Sequence, residues 1–178
     1  MARRASGRRR RSRWSASAAP PASLPTSAAR SCRGSDVAEY NRPVPGVTPD
    51  SKEYWEGCRR HELLIQRCIE CGHHRFYPGP MCQAFDCLSM NFEWVKASGK
   101  GTVYTLTVVA RAPNEMWAEL APYALVLIEL DEGPVIFSRA VDIPAFDVKI
   151  GMRMEVVFED LTDEVTLPFF RPITEPEA

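Results

Sequence analysis

Four cysteines fall within twenty residues, at Cys68, Cys71, Cys82 and Cys87. Two thiol pairs this close constrain the middle of the chain to a zinc ribbon, because structural zinc commonly takes four thiolates from two tight knuckles. Gly72 directly follows the first pair, where glycine accepts the backbone angle that frees amides to bond the sulfurs. The second pair is wider. Four residues separate Cys82 from Cys87, and no glycine follows. Three readings of the cluster stand: all four cysteines bind structural zinc, His73 or His74 replaces one of them, or the ribbon is metal-free and held by its aromatic residues. A catalytic zinc needs an open coordination position that four thiolates do not leave. A redox role for Cys68 and Cys71 needs a βαβ context that the surrounding sequence lacks.

The other two cysteines, Cys32 and Cys58, stand apart, and no apolar leader precedes them. That pattern favours a reducing compartment over a disulfide scaffold, so the protein is expected in the cytoplasm. The longest apolar stretch, Tyr123 to Ile128, is far too short to cross a bilayer. Of the 22 Lys and Arg residues, nine lie in residues 1–35, where there is no acid, leaving 13 against 23 acidic residues in the rest. An acidic body is a poor match for nucleic acid.

Residues 1–36 form a segment of Arg, Ser, Ala and Pro that cannot bury enough surface to order itself, and it is expected to be disordered. It reads as a basic tail, as a transit peptide, or as the product of a start codon placed upstream of the true one near Val37. Residues 37–62 are expected to be an extended arm, kept out of helix by Pro43, Pro45 and Pro49, followed by a helix over Lys52 to Arg60 capped by Asp50 or Ser51. Tyr54, Trp55 and Cys58 make its apolar stripe. Trp55 reads as core.

Residues 63–96 are expected to be the ribbon, with a strand over Leu63–Arg67 entering it and one over Asn91–Lys96 leaving it. Residues 97–173 turn to β. Strands are expected at Gly101–Arg111, Tyr123–Leu130, Val135–Val141, Met152–Glu159 and Thr166–Pro172, the last an edge strand because of Pro168 and Pro172. Ala112 to Ala121 reads as a long loop, and Ile143 to Ile150 as holding one helical turn. Residues 174–178 are a tail. Five short strands in about 70 residues suggest a small closed barrel.

The order of these signals carries a resemblance. Tyr54-Trp55-Glu56-Gly57 leads to Cys68, Cys71 and Gly72. Arg75-Phe76-Tyr77-Pro78 and the second cysteine pair follow, then Glu93-Trp94, then Ser98-Gly99-Lys100-Gly101-Thr102-Val103-Tyr104-Thr105. Ile150-Gly151-Met152 and Leu167-Pro168-Phe169-Phe170-Arg171-Pro172 close the sequence. Over residues 40–173 the chain resembles the zinc-ribbon plus OB-fold proteins of domain of unknown function family 35, associated with acyl-CoA metabolism. The resemblance implies a mainly β protein: an N-terminal helical arm, a rubredoxin-like zinc ribbon with Cys68, Cys71, Cys82 and Cys87 as ligands, and a five-stranded OB-fold barrel. It implies a non-catalytic subunit that pairs with a thiolase-like enzyme or a MaoC-type enoyl-CoA hydratase. Such a subunit helps to shape an acyl-CoA site in lipid, steroid or aromatic acyl-CoA metabolism.

The residues themselves offer no nucleophile with a base. All three histidines, His61, His73 and His74, lie in or near the ribbon. Weak candidates for contact with an acyl-CoA are Arg75, Lys100 and Trp117. The loop carrying Met116 and Trp117 reads either as a ligand or partner contact or as a lid on the barrel mouth. Phe169 and Phe170 read as an interface anchor or as edge-strand packing. The alternative function is single-stranded nucleic-acid binding, with Tyr104, Trp117, Tyr123 and Phe137 stacking on bases. The acidic body weighs against it.

Overall fold

The computed structural model describes residues 42–162 and 165–173. The expectations for residues 1–36 and for the tail at 174–178 lie outside them. Among the described residues no helix is long and apolar enough to cross a membrane.

Helix α1 spans Lys52–Arg59 and buries Tyr54, Trp55 and Cys58, the stripe read from spacing. Its expected cap does not form. Ser51 occupies the N-cap position, but its backbone is already helical (φ −102°, ψ −3°), whereas capping side chains work from extended backbone. The Ser51 hydroxyl instead accepts from the Thr48 amide at 3.0 Å and shares a bond with Thr48 Oγ1 at 2.9 Å, tying the helix to the arm. At the other end the amides of His61 and Glu62 donate to Cys58 O and Gly57 O, at 2.8 and 2.9 Å. His61 takes the left-handed φ of 57° common at such a stop.

The ribbon is an antiparallel sheet of β1 (Leu64–Cys68), β2 (His74–Arg75) and β3 (Phe92–Lys96), in the order β2-β1-β3. Gln66 pairs with Arg75 on one side and Trp94 on the other. His74, one of the two histidines read as a possible replacement ligand, is thus in a strand. A two-residue strand has no periodicity of its own and exists only because β1 supplies its ladder.

The barrel contains β4 (Lys100–Val109), β5 (Tyr123–Leu130), β6 (Val135–Arg139), β7 (Arg153–Asp160) and β8 (Thr166–Pro172). Their order is β6-β5-β4-β7-β8, antiparallel throughout. A parallel bridge from Ala140 to Phe170 and the bond Val141 N to Phe170 O (2.8 Å) bring the edges together, so the five-stranded barrel is nearly closed. Ser138 Oγ adds a bond to Pro168 O at 2.8 Å. Strand β4 is bulged between Val103 and Thr105, which throws Tyr104 outward to 62% exposure.

The core is one cluster running from α1 through the ribbon into the barrel, with Ile65, Ile128, Met154 and Phe170 fully enclosed. Burying each such side chain contributes about 1.5–3 kcal/mol. Two expectations change in detail. The stretch Ala112–Ala121 contains a 3-10 helix over Glu115–Leu120, and Ile143–Ile150 forms a hydrogen-bonded turn (Asp147 N to Pro144 O, 2.9 Å) rather than a helical turn.

Candidate metal centre and adjoining cavity

The first knuckle turns through Gly72, at φ 73°, with its amide donating to Cys68 O at 2.9 Å. The second is closed by Cys82 N to Ser89 O at 2.8 Å and Cys87 N to Ala84 O at 3.2 Å. It turns without glycine by placing Asp86 and Leu88 at φ 64° and 50°. Leu88 follows Cys87 as Gly72 follows Cys71, and adopts the same left-handed backbone.

All four sulfurs lie within 4.8 Å of one another. Cys68 Sγ is 3.7 Å from Cys87 Sγ, and Cys71 Sγ is 3.6 Å from Cys82 Sγ. A tetrahedron with zinc–sulfur bonds of about 2.3 Å has sulfurs about 3.8 Å apart, so this donor set fits zinc. His73 and His74 are not in the group. The Cys71 amide lowers the Cys68 thiol to about 7, favouring its thiolate. At Cys87 the Ser89 amide also favours the thiolate. The sulfurs of Cys71, Cys68 and Cys82, together with desolvation, outweigh it and push the thiol up to about 12. Four thiols packed together resist losing all their protons until a cation replaces them. Cys58 lies apart in α1, fully enclosed, with burial pushing its thiol up to about 11.

The three candidates for ligand contact are not brought together. Arg75 is 5% exposed and belongs to the ribbon interior. Its Nε donates to Gln66 Oε1 at 2.6 Å, its two terminal nitrogens to the carbonyls of Met81 and Gly79, and its guanidinium stacks over Phe92 at 5.2 Å. These bonds give Arg75 a structural role within the ribbon. Lys100 is exposed at the start of β4. Trp117 lines a cavity.

That cavity, of about 530 Å³, is walled by every part of the described chain. Helix α1 supplies Tyr54 and Trp55, the segment after β2 supplies Phe76 and Tyr77, and the barrel supplies Tyr123, Leu125, Phe137, Leu167 and Phe169. Tyr54 packs against Trp55, Phe76 and Tyr77 with ring centroids 4.9, 5.4 and 5.7 Å away, and Trp55 Nε1 donates to Tyr77 Oη at 3.0 Å. On the barrel side Arg139 stacks over Phe169 at 4.2 Å and pairs with Glu159 at 3.3 Å. The arm and the 3-10 helix meet over the cavity. Arg42 Nε donates to Met116 O at 2.9 Å and its guanidinium lies 5.5 Å from the centre of the Trp117 ring. An apolar hollow with a few polar groups at its margin suits a small-molecule group that is held by ring contacts.

Sequence reasoning reached Trp117, Tyr123 and Phe137 as exposed stackers, but not the cavity. Its walls come from many segments distant in sequence, so no local spacing marks it. Phe170 is fully enclosed, in line with edge-strand packing, while its neighbour Phe169 faces the cavity.

A zinc-ribbon knuckle pair fused to a nearly closed five-stranded barrel defines a two-part ribbon and OB-fold protein. Residues 55–93 match the family described as "ChsH2, rubredoxin-like zinc ribbon domain", and residues 94–159 match "ChsH2, C-terminal OB-fold domain". A DUF35 domain-containing scaffold protein of Pyrococcus furiosus is 37% identical over 70% of this chain and 93% of its own length. The chain belongs to the DUF35 family. A protein of Thermomonospora curvata named as a probable enoyl-CoA hydratase alpha subunit is 34% identical over 76% of this chain. This chain spans only 41% of that protein's length. Among solved structures, the one described as "Ltp2-ChsH2(DUF35) aldolase" superposes with a TM-score of 0.66 at 34% identity, covering 74% of this chain and all of the matched one.

Proposed function

We propose that this chain is an accessory subunit of an acyl-CoA enzyme of lipid, steroid or aromatic metabolism. It docks on a thiolase-like or MaoC-type hydratase partner and lends its aromatic cavity to the apolar part of the acyl group. The arm and helix (residues 37–62), the ribbon (63–96) and the barrel (97–173) are its three working parts. Cys68, Cys71, Cys82 and Cys87 hold a structural zinc that fixes the ribbon wall. Its place of action is the cytoplasm. The observation that carries the reading is the cavity itself: about 530 Å³ of mainly apolar lining, contributed jointly by helix, ribbon and barrel. Its polar margin pairs Arg139 with Glu159, an arrangement that orients a ligand rather than activating one. Relatives named as a scaffold and as a probable hydratase alpha subunit, and a neighbour described as an aldolase, support the choice of partner.

The test is co-expression with a thiolase-like, aldolase or hydratase subunit, followed by purification and turnover assays with and without this chain. Co-purification together with a change in turnover is expected. A chain that remains alone and leaves turnover unchanged would sink the proposal.

A further inference from the structure

The wide second knuckle displays apolar side chains that a structural clip does not need. Phe85, between Cys82 and Cys87, is 94% exposed, and Leu88 and Met90 on the return are 64% and 69% exposed. Met81 and Ile69 are exposed as well. The bond Cys82 N to Ser89 O joins the two limbs of the knuckle, so Met81 and Met90 flank the same rung. Leaving large apolar groups in water forgoes about 1.5–3 kcal/mol each.

The backbone carries a second, independent cost at the same place. Leu88 holds a left-handed conformation that disfavours residues with a side chain by roughly 1–2 kcal/mol, at the position that glycine fills in the first knuckle. A strained backbone that presents an exposed leucine is the kind of feature found where a surface is used.

Charge identifies the occupant. Across residues 68–91 the exposed charges are Glu70 and Asp86, while the one arginine, Arg75, is buried. Just outside, the exposed Arg67 is paired with Glu93 at 2.8 Å. The knob is therefore apolar with an acidic rim. An anionic lipid surface would repel that rim, whereas a protein socket edged by Lys and Arg would complement it.

Resting on the accessory-subunit reading above, we infer that the second knuckle, centred on Phe85 and Leu88, is a docking knob for the partner enzyme. It enters an apolar socket edged by Lys and Arg on that protein. The two extra residues that the wide knuckle has over the first are used to present Phe85, and the sulfur cluster anchors its base.

The test measures the affinity of the full chain for the thiolase-like, aldolase or hydratase subunit with which it co-purifies. Phe85→Ser is expected to weaken binding by about 10- to 100-fold, as for a central anchor. Leu88→Gly is expected to weaken it about tenfold while leaving the isolated chain equally or more stable. Glu70→Gln with Asp86→Asn is expected to slow association and to reduce its salt dependence. Zinc content and melting temperature of each variant separate docking from folding. If the unaltered chain binds no such enzyme, the proposed function falls and the knob with it. If it binds, and Phe85→Ser and Leu88→Gly retain metal and bind as tightly as the parent, the knob alone is wrong. The knob is equally wrong if Phe85→Ser chiefly abolishes self-association or binding to vesicles of anionic lipid.

Discussion

Arg75 is a charged side chain whose worth lies in hydrogen bonding rather than in charge exposed to a ligand. Its fork reaches Gln66 Oε1 and the carbonyls of Met81 and Gly79, and the Gly79 amide completes the set by donating to the same Gln66 oxygen at 3.0 Å. Truncation removes three hydrogen bonds from a charged donor, one of them fully buried, and such bonds contribute about 1.5–3 kcal/mol each when buried and less when part-exposed. Arg75→Ala is therefore expected to destabilise the protein by about 3 kcal/mol. Arg75→Lys should recover less than half, since an ammonium cannot serve three divergent acceptors. Denaturant unfolding measures both, and a loss within about 0.5 kcal/mol for Arg75→Ala, the range of ordinary surface substitutions, would refute the account. The sequence places Arg75 beside the ribbon but hides this role. Two of its acceptors are backbone carbonyls from the loop between the knuckles, and the third comes from β1, so only the folded ribbon brings them together.

At the scale of elements, the two knuckles make an internal comparison. Gly72 and Leu88 share a left-handed backbone, with φ of 73° and 50°. Gly72→Ala is expected to cost about 1 kcal/mol, while Leu88→Gly should gain up to about 1 kcal/mol, because relief of strain exceeds the added freedom of the unfolded chain. Thermal unfolding of the zinc-loaded protein reads both signs, and a destabilised Leu88→Gly protein would contradict the assignment.

The β7–β8 end carries a pH response. The Thr166 hydroxyl, donating to Asp160 at 2.6 Å, holds the Asp160 carboxyl below the usual carboxylate range, and His61 at 3.2 Å adds to this. A group depressed in the folded state stabilises fully above its unfolded value of about 3.9. That contribution is lost as pH falls through this value toward the lower folded one. Asp160→Asn should thus flatten the loss of melting temperature below about pH 4, and an unchanged slope would count against this role. Elements with their own periodicity were legible: α1 from its Tyr54-Trp55-Cys58 stripe, and β7 from alternating Met154, Val156 and Phe158. Strand β2, the 3-10 helix and the Ser51–Thr48 tie were not, because partners distant in sequence, or a backbone angle, decide them.

At the scale of the whole molecule, the sulfur cluster and the cavity are coupled through a short run of chain. Phe76 and Tyr77 line the cavity directly after β2, whose Arg75 is held by carbonyls of Gly79 and Met81, and Met81 adjoins Cys82 of the sulfur cluster. The ribbon was legible from cysteine spacing and the barrel from alternating strands. Their joint product was not, because its aromatic walls run from Tyr54 to Phe169 and meet only when α1 seats against β1 and β8. Removing zinc therefore has a consequence beyond stability. Four uncompensated thiols loosen both knuckles, Arg75 loses its acceptors, and the Phe76–Tyr77 wall loses its support.

Stripping the metal with a chelator under reducing conditions is expected to release about one zinc per chain, to lower the melting temperature, and to abolish acyl-CoA binding by the purified complex. Trp117→Ala, which removes a wall remote from the sulfurs, should weaken acyl-CoA binding while leaving zinc content and melting temperature near those of the parent. The pair of results distinguishes a cavity that binds from a ribbon that merely folds. Loss of zinc with acyl-CoA affinity intact would mean that the ribbon wall is not part of the site, and a Trp117→Ala protein with unchanged affinity would move the site away from this cavity.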